Sequence, residues 1–426
     1  MASMMQAQHE KRRGSKGQGY SAVPTQSPSG SGDEPRGPPQ NDCQGFANIF
    51  GEHKVLSSML FIFTPAGYIS HYLEWEPQYV FALNFVAIIP LAWLIGKATE
   101  DVAAKTGETL GGLLNATFGN VVEMLLCVAG IRNGEIEVVQ CTLLGSILSN
   151  LLLVMGCAFL AGGMFYAIQE YNQSGAAIQC SLMSMSVFAI GLPTIYTNVL
   201  HQEAEWEHMV QVSRWASVFL LSIYGAYLVF QLKTHSDLFQ DEDGEEEETP
   251  DLSTPTATVL LLGTTVVTSF ATDYLIAALE TTVDKWHVSK EFVGIILLPI
   301  IGNAAEHYTA ITVAMKNKMD LSLGVAAGSS CQMALLVTPF TVIVGWAYDK
   351  EMTLNFHMFQ LAVLVFAVFL VTTILSTGRC EKEGSSTLIG KTNWFQGYVL
   401  LVTYFVLGLI YFFEGSGHQK SLADLY

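Results

Sequence analysis

Charge is what this chain has least of. Only 14% of its 426 residues are Asp, Glu, Lys or Arg, 50% are hydrophobic, and mean hydropathy is +0.37. A soluble domain carries about 25% charged residues, so the composition argues against a soluble protein, and nothing in it points to nucleic acid. The seven cysteines include no CxxC pair. Cys127, Cys141, Cys157, Cys180 and Cys331 lie in apolar runs, Cys43 and Cys380 outside them. The odd count and irregular spacing indicate neither a disulfide framework nor a zinc site, and the cysteines read as small buried hydrophobes. No apolar run precedes Val55, so no cleavable signal peptide is expected. The polar first 45 residues, rich in Gly, Pro, Ser and Gln, read as a disordered cytosolic tail. No ten-residue alternating pattern recurs, which excludes a membrane-spanning barrel.

What is present is a series of near-apolar runs, each long enough to cross a bilayer, which takes about 20 residues. Eleven spans are expected, near 55–73, 77–96, 109–131, 138–164, 176–198, 209–232, 257–279, 290–315, 320–348, 353–375 and 394–413. The chain therefore reads as an all-α polytopic membrane protein. With the N-terminus in the cytosol, 14 lysines and arginines fall on the cytosolic side and 6 on the other, the positive-inside pattern. An odd span number then puts the C-terminus on the far side. Of two Asn-x-Ser/Thr sequons, Asn115–Thr117 lies inside a span and Asn172–Ser174 in a cytosolic loop, so neither is expected to carry glycan.

An acidic run, Asp237 to Glu248, separates spans six and seven. Like charges at this density repel, so it reads as a linker that can also concentrate divalent cations locally. The expected organisation is a tail (1–54), an N-terminal transmembrane half (55–232), a cytosolic acidic linker (233–256), a C-terminal half (257–413) and a short lumenal tail (414–426).

The two halves share a motif. Residues 119–123 read Gly-Asn-Val-Val-Glu and residues 302–306 read Gly-Asn-Ala-Ala-Glu, so Asn303 follows Asn120 by 183 residues. The same offset sets Gly145-Ser146 on Gly328-Ser329, Leu152-Leu153-Val154 on Leu335-Leu336-Val337, and Leu114 on Leu297, without a gap. An odd number of crossings separates the copies, so they are expected to run in opposite directions. Such inverted repeats are a recurring plan of secondary transporters, with the binding site at the repeat interface near the midplane; channels can also contain them.

Within each copy the Asn and Glu are three residues apart, on one helix face. Gly119 and Gly302 precede them and permit close backbone approach. Pro299 stands where it can break the second helix and free carbonyls. Hard divalent cations take oxygen ligands, a mixture of carboxylate, amide, backbone carbonyl and water, and Glu123, Glu306, Asn120 and Asn303 supply that mixture. A carboxylate at the bilayer centre costs at least ~2.5 kcal/mol. One divalent cation neutralises the ionised pair and protons neutralise it otherwise, so competition for the same carboxylates gives antiport without a separate coupling device. Ser146, Ser149, Asn150, Ser329 and Gln332 lie at helical spacings on the adjoining spans, as supporting ligands or as interhelical polar contacts. His307 points about 100° away from Glu306 on a helix, which rules out a paired-histidine zinc motif and leaves a proton relay or a structural hydrogen bond. Glu100 and Glu280, near span ends, are candidates to guide ions at the two vestibules, or are simply solvated. The loop from His201 to His208 reads as solvated.

At these residues the sequence resembles the vacuolar-type cation/proton exchangers of the calcium/cation antiporter superfamily. Gly-Gly-Leu-Leu-Asn-Ala-Thr-Phe-Gly-Asn (111–120) with Glu123 is similar to the first family signature. Leu297 to His307 with Gly328-Ser329-Ser330 and Gln332 is similar to the second. The resemblance runs from Val55 to Phe413. It implies an extra first helix followed by two inverted five-helix halves, and calcium uptake into vacuoles or related acidic stores driven by protons. It implies Glu123 and Glu306 as the essential acidic pair, with Asn120 and Asn303 as amide partners. No cofactor is implied; calcium and protons are the transported ions. Many members carry Ala-Thr where this chain has Val121-Val122, which leaves manganese, sodium and other ions open. The polar N-terminus resembles the regulatory tails of some plant members. From the residues alone, a sodium-coupled calcium exchanger and a cation channel stay open as alternatives. A membrane metalloenzyme would need a catalytic ligand set that is missing.

Overall fold

The computed structural model describes residues 41–106, 108–200, 206–235, 250–376, 380–381 and 388–423. The acidic run 237–248 and residues 201–205 of the histidine-bounded loop lie outside them. The architecture is helical, as the apolar runs require. Eight described helices are long and apolar enough to cross a membrane singly: Pro77–Thr106, Ile136–Phe165, Gln173–Asn198, Glu207–Thr234, Thr254–Ala277, Met319–Ala347, Met358–Ser376 and Trp394–Phe413. Two bent pairs, Leu110–Phe118 with Val121–Asn133 and Lys290–Gly302 with Ala304–Met315, bring the number to ten. The expected first span is a helix, Lys54–Tyr72, but its serines, threonine and histidine leave it outside that set.

In chain order the helices are α1 (Asp42–Glu52), α2 (Lys54–Tyr72), α3 (Pro77–Thr106), α4 (Glu108–Phe118), α5 (Val121–Asn133), α6 (Ile136–Leu148), α7 (Met155–Phe165), α8 (Gln173–Ile195) and α9 (Trp206–Val229). The second half holds α10 (Thr254–Ala277), α11 (Leu279–Trp286), α12 (Lys290–Phe292), α13 (Leu298–Gly302), α14 (Ala304–Met315), α15 (Met319–Gln332), α16 (Thr338–Ala347), α17 (Met358–Ser376) and α18 (Trp394–Ala423). Wider π-helical turns interrupt the long rods, among them Ser149–Val154 between α6 and α7, Val293–Leu297 between α12 and α13, and Met333–Val337 between α15 and α16.

The 183-residue offset found in five-residue motifs governs whole elements. Shifted by it, α6 falls on 319–331, where α15 lies, and α7 on 338–348, where α16 lies. The π turn Ser149–Val154 falls on 332–337, over the turn at Met333–Val337. Likewise α4 and α5 fall on α12–α13 and α14, and α8 on α17. A π turn inserts one extra residue per turn and leaves neighbouring backbone groups poorly paired, so its recurrence at one register is a specific likeness. The shifted range of helix α2, 237–255, falls on the acidic linker and lies mostly outside the described residues.

Two apolar clusters organise the packing. In one, α3 and α10 pack along each other, with Ile88, Leu91, Leu261, Leu275 and Ile49 buried. The other is built on α6, α7, α15 and α16, flanked by α8, α9, α17 and α18. Gly163 against the backbone of Trp394, and Gly397 against that of Gly156 and Leu160, let α7 and α18 cross closely.

Two elements depart from the sequence expectation. The tail expected to be disordered through residue 54 contains α1, capped by the Asn41 side chain on the Gln44 N–H at 2.9 Å. An isolated 11-residue helix is marginal in water; this one is held by tertiary contact. The Asp42 carboxylate accepts from the Ser253 N–H and hydroxyl, both at 2.8 Å, and from the Thr256 hydroxyl. These donors, the Thr256 hydroxyl foremost, hold the Asp42 carboxyl below the usual carboxylate range. A small antiparallel sheet also joins two loops, Gln169–Asn172 pairing with Leu388–Thr392 and that strand with Cys380–Glu381.

A buried carboxylate and amide site at two helix breaks

Each shared motif sits at a break in a helix. The chain bends by 45° between α4 and α5 and by 58° between α13 and α14. The residues at the bends are Asn120 (φ −107°, ψ 19°) and Asn303 (φ −86°, ψ 19°), outside helical geometry. The second break was expected at Pro299. It lies four residues later, and what precedes Pro299 is the π turn Val293–Leu297. Proline's missing N–H and its clash with the preceding turn are absorbed by that widening.

Breaking the helix just before Glu123 and Glu306 puts each carboxylate in the first turn of a half-helix. There unpaired N–H groups and the aligned peptide dipoles favour negative charge. Glu123 is fully buried and Glu306 is 9% exposed. Neither forms an ion pair among the described residues. Glu123 belongs to the first copy but lies against the second: a Cβ on Gly302 would stand 3.1 Å from its Oε1. The two carboxyl groups are close enough to act on each other electrostatically.

Around them the expected supporting residues converge. The Asn120 amide donates to Gln332 Oε1 at 2.5 Å, the Ser329 hydroxyl donates to Asn120 Oδ1 at 3.3 Å, and the Asn150 amide donates to Ser329 Oγ at 2.9 Å. This closed network ties α5, the turn after α6, and α15 together. Across the repeat, Asn303 donates to the Ser146 carbonyl at 3.3 Å. His307 Nδ1 donates to the Asn303 carbonyl at 2.7 Å, which leaves Nε2 as the acceptor nitrogen.

The remaining oxygens are unsatisfied. Both carboxylate oxygens of Glu123, Oε2 of Glu306, Oδ1 of Asn303 and Asn150, and the hydroxyls of Ser146 and Ser149 are buried without a hydrogen-bond partner. A buried acceptor left unpaired costs about 1–3 kcal/mol, more when charged, so a cluster of them needs a counter-charge. Carboxylates, amides and hydroxyls form an all-oxygen donor set suited to a hard cation such as calcium. Among the described residues no group of three or more His, Cys, Asp and Glu side chains is placed to hold a metal ion, here or elsewhere, so the set at this site is two carboxylates with neutral oxygens.

Corresponding surfaces of the two halves differ. On one side, residues 294–295 press onto α6: a Cβ on Gly145 would be 2.5 Å from the Ile295 carbonyl, and one on Gly294 2.5 Å from Cys141 Cβ. The corresponding residues of α4 pack on α3 and on the turn after α9 instead; Gly111 faces the Ala103 carbonyl and Gly112 faces Leu232. Leu110 is 59% exposed where its counterpart Val293 is 1%, and Leu113 is 42% exposed where Ile296 is 7%. Residues 293–296 are thus packed into the bundle, the closed side of this conformation, whereas the matching face of α4 is left exposed.

The two vestibule candidates lie at the surface. Glu100 is half exposed, 3.8 Å from Lys97. Glu280 is exposed and pairs with Lys290 at 3.4 Å, in a group with Glu135. A recess of about 510 Å³ opens on the closed side, lined by Glu137, Gln140, Cys141, Glu291, His357 and Gln360 among others. The Glu137 and Glu291 carboxyl groups lie within hydrogen-bonding reach of each other. Sequence reading passed over both. The 183-residue offset would have found them, since it sets Glu108 on Glu291 and Glu137 on Asp320.

Residues 78–233 and 256–413 each match the family described as sodium/calcium exchanger protein, one match per half. The chain is 40% identical over 369 residues to a Ca(2+)/H(+) antiporter of Aphanothece halophytica, covering 83% of this chain and 95% of that protein. It is 40% identical over 374 residues to the vacuolar calcium ion transporter of Schizosaccharomyces pombe, covering 86% and 88%. Among solved structures it is similar to native YfkE, with a TM-score of 0.71 at 30% identity over 84% of this chain and 99% of that one.

Proposed function

The chain belongs to the sodium/calcium exchanger protein family, and we propose that it is a proton-coupled calcium antiporter, moving cytosolic calcium into an acidic store in exchange for lumenal protons. The observation that carries this reading is the pair of buried carboxylates on two half-helix starts, surrounded by oxygens with no protein partner.

Glu123 and Glu306 are the shared acceptors, with Asn303, Asn150, Ser146 and Ser149 as neutral oxygen donors. The Asn120–Gln332–Ser329 network positions the first half-helix. Two ionised carboxylates carry the charge that one divalent cation cancels. With no cation bound, protons cancel it. The empty, doubly charged site is the state most penalised inside a low-dielectric bundle, so the protein changes sides with cation or with protons but not with neither. That penalty is the coupling. Alternating access between repeats running in opposite directions is supported by the unequal packing of corresponding surfaces, one exposed and one closed. The bias of lysine and arginine supports a cytosolic N-terminus, with the exposed face of α4 on the same side, and the vacuolar relative supports a vacuole or related acidic compartment.

The test uses purified protein in sodium-free vesicles with an acidic interior, recording calcium entry and proton exit together. Uptake that depends on the pH gradient, with matching alkalinisation, both lost in Glu306→Gln, is the expected result. Calcium flux indifferent to the gradient would overturn the antiport reading in favour of a channel, and flux that appears only with sodium would favour sodium coupling.

A further inference from the structure

The repeat register says what the second conformation looks like at residue level. In the present one, the closed side is sealed by a thin layer: Gly294 on Cys141, and Ile295 on Gly145. Cys141 also lines the recess that holds Glu137 and Glu291, while Ser146, next to Gly145, carries one of the unpartnered site oxygens. About one helical turn thus separates recess from site along α6.

Shifting these contacts by 183 residues gives their counterparts. Gly294 corresponds to Gly111 and Ile295 to Gly112; Cys141 corresponds to Gly324 and Gly145 to Gly328. All four counterparts are glycines, and none of these pairs meets here. A Cβ on Gly324 would find nothing within 4 Å, and one on Gly328 would meet only the Gln179 amide at 3.7 Å. An exposed glycine inside an apolar helix costs about 1 kcal/mol relative to alanine, and nothing in the present packing uses the space Gly324 leaves. Its counterpart Cys141 is pressed against Gly294.

We propose that in the second conformation α4 leaves α3 and seats Gly111 and Gly112 on Gly324 and Gly328 of α15, burying the α4 face that is exposed here. Residues 294–295 separate from α6 in the same transition. The inference rests on the two-sided access set out above and adds the contacts that make it. It assigns Gly324 no part in the fold as it stands, and Gly324 and Gly328 together a required part in the state not seen. Packing glycine against glycine brings two backbones closer than any side chain would allow, so added bulk at Gly324 blocks the closure without touching the present packing.

The experiment compares Gly324→Leu with Gly225→Leu, both at positions with nothing within 4 Å, in reconstituted vesicles. Gly324→Leu is expected to melt at the wild-type temperature and to bind calcium with wild-type affinity. It is expected to lose at least tenfold in transport rate, whereas Gly225→Leu transports normally. In a second measurement, a Gly112→Cys/Gly328→Cys variant is oxidised and the bridge mapped by proteolysis and mass spectrometry. A 112–328 disulfide that forms and arrests transport supports the closure. Wild-type transport by Gly324→Leu, or continued transport with no 112–328 disulfide, overturns it. The disulfide reports the contact whichever ion is carried, so a failure of proton coupling in the vesicle assay is distinguishable from a failure of this inference.

Discussion

Replacing Gly302 with alanine puts the proposed site to a stringent test, because it disturbs one ligand by a known distance. The added Cβ would stand 3.1 Å from Glu123 Oε1 and 3.3 Å from its Cδ and Cγ. Comfortable carbon contacts are about 3.5–4.0 Å, so the carboxylate must retreat by a few tenths of an ångström. It is the far end of a flexible side chain, so the fold absorbs the change at a cost below ~1 kcal/mol, under the usual range for overpacking. Calcium–oxygen bonds span only about 2.3–2.6 Å, a window no wider than the displacement. We expect calcium affinity to fall roughly tenfold, which is ~1.4 kcal/mol, with the melting temperature almost unchanged. Calcium titration calorimetry and thermal melts on the solubilised protein measure the two effects. Gly263→Ala is the control: nothing lies within 4 Å of its Cβ position on α10, so affinity should hold and stability stay level or rise slightly. Wild-type calcium affinity in Gly302→Ala would refute the assignment of Glu123 as a ligand held against the second repeat.

Three further outcomes are expected. Where both carboxyls start protonated, calcium displaces two protons, so affinity should rise about a hundredfold per pH unit and only about tenfold in Glu123→Gln or Glu306→Gln; calcium titrations across pH check it, and equal slopes would contradict a shared site. Gly163→Ala drives a Cβ to 2.6 Å from the Trp394 backbone nitrogen, which cannot swing aside, so stability should fall by about 1–3 kcal/mol; an unchanged melt would show that α7 and α18 do not cross as closely as described. Asp42→Ala should free α1, read as faster amide exchange over residues 42–52 at neutral pH. Because the Asp42 carboxyl is held below its ordinary value, its contribution is complete above the ordinary carboxylate range near pH 4. It fades as pH falls through the lower folded value, so wild type and variant should converge there, and a difference that persists in acid would point away from the carboxylate.

Much of this protein is determined by sequence alone, for physical reasons that are local. Apolar runs that must satisfy their own backbone in lipid can only be helices, so the class and nearly every span boundary follow from composition along the chain. Asn120, Glu123, Asn303 and Glu306 stand out because polar residues in such runs are costly, and their 183-residue spacing exposes two halves that match in element order and share one π turn, Ser149–Val154 with Met333–Val337. Tertiary structure decided the rest. Periodicity states that Asn120 and Glu123 share a face but not that the helix breaks at the Asn, since a break depends on what receives the freed backbone groups. It does not say that Glu123 rests against Gly302 of the other half, or that Gln332 is the partner of Asn120, because contacts 179 or 212 residues apart leave no local signature. The helix at Asp42–Glu52 escaped for the same reason: too short to stand alone, it exists through Ser253 and Thr256. Least legible of all was which side of the bundle is closed. Two nearly equivalent halves encode both arrangements, and only their packing in three dimensions selects one.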